Sequence, residues 1–281
     1  ASSSRANAIP TENIVNYASG TYATPNTGYF GGGEPGPKST VDRIDYSNDT
    51  ATAAVKGSLS AAKRRLAAIS NSSFGYFGGG NPGPPGGIST VDRINYLNDT
   101  VTASSKGPLS AAKYVLTATG NASFGYFGGG APGTYSTVDR IDYSNDTATA
   151  VARGPLSVAR HRLAATGNSD FGYFGGGGPG PLSTVDRLDY SNDTATASPK
   201  GPLSAQRKEL GATGNTSFGY FGGGAPGPLS TVDRIDYSND TATASVKGPL
   251  SAARIYLTGG ATGNASFGYF SGGYTSSAVS T

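Results

Sequence analysis

A cassette of about 47 residues recurs along the whole chain, and this repeat constrains the fold more than any other feature of the sequence. Each copy reads close to FGYFGGG, then STVDRIDYSNDTATA, then KGPLSAAR, then LAATGN. The steps between the tyrosines of the glycine-rich element are 47, 50, 47, 47 and 49 residues, with the tyrosines at Tyr29, Tyr76, Tyr126, Tyr173, Tyr220 and Tyr269. Such a period predicts a repeat architecture, in which most residues serve the repeated unit. Function is therefore expected where the copies differ.

The composition excludes several classes of protein. The 281 residues include no cysteine, which rules out disulfide bonds, thiol nucleophiles and cysteine metal sites. No apolar run approaches the ~18–20 residues of a membrane-spanning helix, and the first residues lack the pattern of a signal peptide. The net charge of +3 is too small to indicate a nucleic-acid partner by itself. The 44 glycines and 17 prolines fall short of the ~25–30% typical of disordered chains, so we expect a folded domain.

One copy of the repeat predicts four short strands. In the copy that begins at Leu116, residues 116–119 and 124–127 read as strands separated by a Gly-Asn turn. Residues 137–143 are rich in β-forming side chains, and residues 148–151 follow a Ser-Asn-Asp-Thr turn. A Gly-Pro pair then breaks the ladder, and no helical period is present. Each copy is therefore expected to form one four-stranded blade of a β-propeller.

The order of these elements resembles the kelch repeat. A strand that ends in double glycine precedes a Val-Asp-Arg-Ile-Asp-Tyr strand, and Pro-Leu-Ser-Ala-Ala-Arg then leads to the next strand. The resemblance covers residues 13–281 and implies an all-β propeller. A kelch blade usually carries a tryptophan in its fourth strand, whereas this chain has no tryptophan and places small Thr-Ala-Thr-Ala residues there. The blades are therefore expected to be thinner or differently packed. A β-solenoid is the alternative, and the Gly-His and Trp-Asp pairs of WD repeats do not recur.

The counts of the two main strands predict six blades. The glycine-rich strand occurs six times, but the Val-Asp-Arg strand occurs five times, at Val41, Val91, Val138, Val185 and Val232. Residues 277–279 align with the start of another such strand, and residues 13–18 resemble its remainder. We expect residues 13–18 to complete a sixth blade begun near Tyr256, so that N- and C-terminal strands close the ring and remove exposed edges. Residues 1–12 are expected to be a polar tail or linker, and residues 13–281 a single domain.

Charged residues recur inside the copies. The third strand of each copy carries an arginine, at Arg43, Arg93, Arg140, Arg187 and Arg234. We expect each arginine to pair with an aspartate of its own or the adjacent blade, because an unpaired buried charge is costly. The alternative is a ring of anion-binding arginines.

Asp45, Asn48 and Asp49 resemble a loose set of calcium ligands but lack the spacing of an EF-hand loop. Turn formation accounts for them, so no metal or cofactor is expected; calcium binding and glycosylation of the Asn-x-Ser/Thr sites stay open.

The copies differ chiefly on one face of the predicted ring. The connections of a four-stranded blade fall on two faces: a turn face, with the first-to-second and third-to-fourth turns, and a crossover face, with the second-to-third loops and the blade-to-blade connections. The turns are nearly uniform, whereas the crossover face varies in sequence and loop length. Loop drift is one interpretation and binding the other, since variable propeller loops suit recognition. The candidate binding residues are Lys38, Arg64, Arg65, Tyr114, Tyr135, His161, Arg162, Lys208, Glu209, Ile255 and Tyr256.

The predicted charges also differ between the two faces. The crossovers carry a cation in every copy, at Lys63, Lys113, Arg160, Arg207 and Arg254. The turn face carries an aspartate in every full copy, at Asp49, Asp99, Asp146, Asp193 and Asp240. The crossover face is therefore expected to be basic and to attract anionic partners. Acidic polysaccharide, lipopolysaccharide and nucleic acid are the possible partners, and the last is the least supported, because no known nucleic-acid motif is present.

Catalytic groups are scarce. His161 is the single histidine, and the three glutamates do not recur in the repeat. We therefore do not expect an enzyme, although the repeated aspartates leave a carboxylate-pair hydrolase of polysaccharide as an alternative.

Near-copied glycine-rich kelch-like blades resemble repeats in virion and tail-appendage proteins of marine bacteriophages. The resemblance implies a non-enzymatic binding or structural propeller in a larger extracellular or virion assembly, with other protein subunits or a cell-surface glycan as partners. A secreted lectin-like adhesin that binds glycans through Tyr114, Tyr135 and Tyr256 is the main alternative.

Overall fold

The chain folds into antiparallel sheets that are arranged around a common axis. The computed structural model describes residues 7–9, 26–84, 86–257 and 261–275. Within these ranges the strands of each sheet follow one another in chain order. Three-residue 3-10 turns join the third strand to the fourth in four of the sheets, at Tyr96–Asn98, Tyr143–Asn145, Tyr190–Asn192 and Tyr237–Asn239. The arrangement confirms the prediction of an all-β propeller with four-stranded blades.

The first three blades are built from twelve strands. Blade one contains β1 (Asn7–Ile9), β2 (Thr27–Gly31), β3 (Val41–Asp45) and β4 (Ala54–Lys56). Blade two contains β5 (Ala67–Ser70), β6 (Phe74–Gly78), β7 (Val91–Asn95) and β8 (Ser104–Lys106). Blade three contains β9 (Thr117–Gly120), β10 (Phe124–Gly128), β11 (Val138–Asp142) and β12 (Val151–Arg153).

The remaining sheets follow the same order. Blade four contains β13 (Ala164–Gly167), β14 (Phe171–Gly175), β15 (Val185–Asp189) and β16 (Ser198–Pro199). Blade five contains β17 (Gly211–Gly214), β18 (Phe218–Gly222), β19 (Val232–Asp236) and β20 (Ser245–Lys247). A two-stranded sheet of β21 (Ala261–Gly263) and β22 (Gly268–Phe270) completes the described chain.

The first strand of each sheet lies at the centre of the ring. β1 contacts β5, and the contacts continue through β9, β13, β17 and β21 back to β1. The two-stranded sheet is held against blade one by Tyr46. Its hydroxyl shares a 2.7 Å hydrogen bond with the Thr262 hydroxyl, and its ring stacks on Tyr269. The ring is therefore closed.

The number of blades differs from the prediction. The structure contains five four-stranded blades rather than six, because only one Gly-rich strand and its inner partner follow β20 in the described residues. Residues 13–18 and 277–279, which were expected to complete a sixth blade, lie outside the described residues. Strand β1 lies inside the segment 1–12, for which a tail or linker was expected. Its backbone pairs with β2, Asn7 opposite Gly31, and so covers an edge that would otherwise be open.

The packing between blades explains why the second strand of each blade is rich in glycine. A Cβ placed on Gly128 would stand 2.5 Å from the Cε1 atom of Phe174 in the next blade. The same contact recurs with Phe77, Phe127 and Phe221, and all four phenylalanines are fully buried. A glycine is needed because the ring of the next blade lies directly on the strand backbone.

An aspartate clamps each pair of neighbouring four-stranded blades. Between blades three and four, Asp193 accepts hydrogen bonds from the Tyr126 hydroxyl at 2.9 Å and from Arg140 at 2.7 Å. Arg153 adds an ion pair at 3.6 Å. Burial beside this carboxylate raises the pKa of Tyr126 above its ordinary value. We call Asp193 and its equivalents the clamp aspartates; they are Asp99, Asp146, Asp193 and Asp240.

The predicted pairing of the third-strand arginines is therefore confirmed for four copies. Arg43, Arg93, Arg140 and Arg187 each reach the clamp aspartate of the following blade at 2.7 Å. Arg234, the fifth copy, has no carboxylate partner among the described residues, and its guanidinium lies 4.2 Å from the centre of the Phe218 ring.

Removing one clamp charge is expected to destabilise the ring. Asp146→Asn leaves Arg93 and Lys106 without a carboxylate, and we expect it to lower the free energy of unfolding by about 3 kcal/mol. Asp142→Asn is the matched control. Asp142 accepts from the Ser144 amide in the same turn, and Asn95 already fills this role in blade two. The control is expected to change stability by less than about 0.5 kcal/mol. Denaturant unfolding of both variants measures the difference, and equal costs would contradict the clamp.

Candidate binding site on the crossover face

Two variable residues link each crossover to the next inner strand. The first of the pair forms an isolated β-bridge to the residue that follows the glycine-rich segment of its sheet, a triple glycine in four copies and Ser-Gly-Gly in the last. Tyr114 and Ala131 show the pattern: the Tyr114 amide donates to the Ala131 carbonyl at 2.9 Å, and the Ala131 amide donates back at 2.8 Å. The residues placed in this way are Arg64, Tyr114, His161, Lys208 and Ile255. Their backbones are therefore fixed although their side chains differ.

The second residue of each pair has a left-handed backbone. The φ angles lie between 50° and 61°, in Arg65, Val115, Arg162, Glu209 and Tyr256. We call these five residues the mouth ring. The amides of Val115, Arg162 and Glu209 each donate to the carbonyl of the preceding member at 2.8 Å. Because each member lies a few residues before an inner strand, the ring surrounds the axis at the crossover face.

The mouth ring keeps side chains where glycine would relieve strain. A left-handed backbone costs an L-residue roughly 1–2 kcal/mol, and a β-branched residue such as Val115 adopts it rarely. The chain places glycines at the other left-handed positions of every blade, for example Gly129 and Gly130, at φ of 70° and 117°. Strained non-glycine residues concentrate at functional sites, where the side chain itself is needed. The mouth ring therefore marks a candidate binding site, and the sequence alone did not reveal its strain.

Two ion pairs involve the arginines of the mouth ring. The Arg65 Nε donates to the Glu34 carboxylate at 2.8 Å, and Arg64 approaches the same oxygen at 3.9 Å. Arg162 lies 2.9 Å from the carboxylate of Glu209, which is buried. Glu34 was not among the predicted site residues. Its position in the variable second-to-third loop of the first copy was the signal that could have identified it.

His161 lies among cations at the boundary between blades four and five. It is half-buried, and its Nδ1 atom has no hydrogen-bond partner among the described residues. Burial lowers the pKa of His161, and the charges of Arg162 and Lys208 lower it further. The Lys208 ammonium donates to the Pro179 carbonyl at 3.1 Å, so it is held near this group. The imidazole is therefore neutral at pH 7.

The other predicted residues lie on the same face, and none of them is fully exposed. The Tyr114 ring lies against Gly87, where an added Cβ would be 3.0 Å from its Cδ1 atom. The Tyr135 ring is 5.5 Å from the Lys113 ammonium. Lys38 is joined through its carbonyl to the Lys63 amide at 2.9 Å. The predicted residues thus belong to one face, but direct contacts join only some of them.

The prediction that the crossover cations make this face basic is wrong for four of the five. Four of them are fully buried, namely Lys63, Lys113, Arg160 and Arg207. Each pairs with the aspartate of a Val-Asp-Arg strand inside its blade, as Arg160 does with Asp186 at 2.9 Å. A buried cation needs such a partner, because the uncompensated charge would be costly. Four of the turn-face aspartates are the buried clamp aspartates, so their charge is also neutralised. The buried crossover cations therefore add little charge to the surface, and the cations left partly exposed on this face are Lys38, Arg64, Arg65, Arg162 and Lys208.

Comparisons with known proteins show the fold alone. The solved structure of YjhT has a TM-score of 0.75 and 12% identity over 98% of this chain and 93% of its own. Solved chains that resemble this one number 419, so the fold is widespread and does not identify a function. No family model matches the sequence, and no curated protein matches it.

Among the described residues, no helix is long and apolar enough to cross a membrane, and no three His, Asp or Glu side chains cluster as a metal site would require.

Stability is expected to depend on the protonation of His161. The folded chain has a lowered histidine pKa, so between that value and the ordinary value of about 6.5 the unfolded chain binds a proton that the folded chain does not. The free energy of unfolding should therefore rise with pH across this window. His161→Gln should remove this part of the slope.

The measurement is denaturant unfolding of both proteins at a series of pH values from about 5 to 7.5. The nuclear magnetic resonance titration of the single histidine reports its pKa directly. An identical pH slope in the two proteins, or a histidine pKa above about 6.5, would contradict this description of the site.

Proposed function

We propose that this chain is a non-enzymatic β-propeller that binds a partner through its crossover face, as a component of a larger extracellular or virion assembly. The observation that carries the proposal is the mouth ring: five side chains held at strained backbone positions around the axis. A purely structural turn would use glycine there, as the chain does elsewhere. Retaining Arg, Val, Glu and Tyr side chains indicates that these groups contact something.

The chemistry of the site supports binding rather than catalysis. Both glutamates of the described residues are engaged in ion pairs with mouth-ring arginines. Acid–base catalysis needs a tuned acid and base that converge on one point. The crossover face instead presents differing cationic, aromatic and apolar groups on a rigid frame. Such a mixture suits a broad polar partner with some negative charge, such as a glycan or a protein surface.

The assembly context is supported by the repeat itself. The kelch-like order of elements and its resemblance to glycine-rich virion proteins of marine bacteriophages both favour a structural or adhesive component. The absence of cysteine means that such a component would depend on packing and ion pairs alone.

A lectin-like adhesin is the second candidate function. Tyr114 lies against a loop glycine, and Tyr256 belongs to the mouth ring. Aromatic side chains that are half-buried and rigid are suited to stacking on the apolar faces of sugars.

Binding to an array of bacterial surface glycans tests both candidates. We expect Arg64→Ala with Lys208→Ala to weaken binding of acidic glycans about tenfold or more, and Tyr114→Ala to weaken binding of neutral ones. Asn145→Ala on the turn face is the matched control and should leave binding unchanged. Binding that survives the crossover variants, or that falls with Asn145→Ala, would contradict the proposed site. Release of reducing ends from acidic polysaccharides would contradict a non-enzymatic role.

A further inference from the structure

Among the described residues, no carboxylate stands at the boundary after blade five in the place that one fills at the four preceding boundaries. At those boundaries a clamp aspartate meets a tyrosine, an arginine and a second cation of the preceding blade. The equivalent donors of blade five are Tyr220, Arg234 and Lys247. In the part of the chain that the structure describes, none of the three meets a carboxylate. Blade five therefore presents a complete set of donors toward the two-stranded sheet.

No described residue covers the backbone of blade five at the same boundary. In the preceding blades, the glycine that follows the fourth strand donates its amide hydrogen to the carbonyl of the clamp aspartate at 2.8 Å. The contact is so close that a Cβ on Gly201 would be 1.8 Å from the Ala242 carbonyl oxygen. Gly248 has the same position in blade five, and no described atom lies within 4 Å of a Cβ built on it.

The described residues also place no stacked tyrosine at this boundary. Between the earlier blades, the tyrosine that ends the third strand stacks on the second-strand tyrosine of the preceding blade, as Tyr237 does on Tyr173 at 4.7 Å. At the two boundaries before this one, its hydroxyl also shares a hydrogen bond with an inner-strand threonine, Tyr190 with Thr119 at 2.9 Å and Tyr237 with Thr166 at 3.2 Å. The equivalent pair in blade five is Tyr220 and Thr213, and no described ring stacks on Tyr220.

A cavity occupies the position of the missing ring. Its volume is about 220 Å³, and Thr213, Tyr220, Phe267 and Gly268 are among the residues that line it. The cavity is far larger than the ~10–15 Å³ needed for one water molecule. Its position between the inner threonine and the second-strand tyrosine matches the place where Tyr237 lies one blade earlier.

Strand β22 offers a backbone edge beside this cavity. In blade five, β19 covers β18, and Arg234 of β19 covers the Phe218 ring. β22 has no outer neighbour among the described residues, and Phe267, which stands at the position of Phe218, is 62% exposed. An exposed edge of this kind is a template for pairing with another strand.

We propose that this slot, formed by β22, the cavity and the three donors of blade five, binds a β-strand of a partner polypeptide that ends in a Tyr-x-x-Asp turn. The strand pairs with β22, its tyrosine fills the cavity and bonds Thr213, and its aspartate accepts from Tyr220, Arg234 and Lys247. This is strand addition at a sheet edge, with side-chain pockets that give specificity.

The occupied boundaries define the chemistry of the occupant. Each uses a tyrosine followed three positions later by the clamp aspartate, as in Tyr237 and Asp240. All five Val-Asp-Arg strands of this chain are already engaged in blades one to five. The slot lies on the side of the ring, so the inference is independent of the crossover face and its proposed partner.

A peptide with the sequence of residues 229–244, LSTVDRIDYSNDTATA, is the probe. Fluorescence anisotropy of the labelled peptide, titrated with the full chain, should show saturable binding. Peptides that carry Tyr237→Phe or Asp240→Asn should bind about tenfold more weakly, because each loses a hydrogen bond to the slot. Tyr220→Phe and Arg234→Gln in the protein should have similar effects, with folding checked by circular dichroism.

Asn145→Ala on the turn face is the matched control and should bind the peptide as the natural chain does. No binding at about 1 mM peptide would overturn the proposal, as would equal binding of the Asp240→Asn peptide. Photo-cross-links from the slot to residues 10–25 would assign it to the chain's own segment and overturn the proposal. A dimer that Arg234→Gln dissociates would assign the slot to a second copy, with the same consequence.

Discussion

The ring depends on one ionic contact that is repeated at the blade boundaries. A clamp aspartate is buried in the turn between the third and fourth strands of its own blade, and it accepts hydrogen bonds from side chains of the preceding blade. A buried carboxylate without such donors would be strongly destabilising, so each blade needs its predecessor in place. Because the chain has no cysteine, this contact and the packing of phenylalanine on glycine replace covalent constraints between blades. The uniformity of the Val-Asp-Arg and Asn-Asp-Thr segments follows from this shared requirement.

Much of this architecture could be predicted from the sequence. The four strands of each copy, their turns and the pairing of Arg93 with an aspartate follow from period, β-propensity and the cost of buried charge, whereas the choice of the next blade's Asp146 does not. The burial of Lys63 and Arg160 could not be predicted in this way, because the polar sequence of a crossover gives no sign that its cation turns into the blade to pair with an aspartate. The blade count was wrong because counting glycine-rich strands does not show whether a third and a fourth strand follow the last one.

The two surfaces of interest differ in how they depend on the clamp. The mouth ring lies outside the clamp contacts, so Arg65, Glu209 and Tyr256 vary without loosening the blades. Their strained backbones were invisible to sequence reasoning, because a left-handed conformation at a non-glycine residue has no simple signature. The slot beside Tyr220 is the opposite case: its donors obey the repeat, and only their acceptor is missing from the described residues. The mouth ring is identified by residues that differ between the copies, and the slot by repeated donors whose acceptor is not among the described residues.

The comparison of Tyr173→Phe with Tyr220→Phe tests the central claim most directly. Both substitutions remove one hydroxyl at the same position of the repeat. The Tyr173 hydroxyl donates to Asp240 at 2.9 Å, whereas the Tyr220 hydroxyl has no acceptor in the described residues. If the clamp holds the ring, Tyr173→Phe lowers the free energy of unfolding by about 1–3 kcal/mol, and Tyr220→Phe leaves it within about 0.5 kcal/mol of the natural chain. Equal losses, or no loss from Tyr173→Phe, would contradict the account.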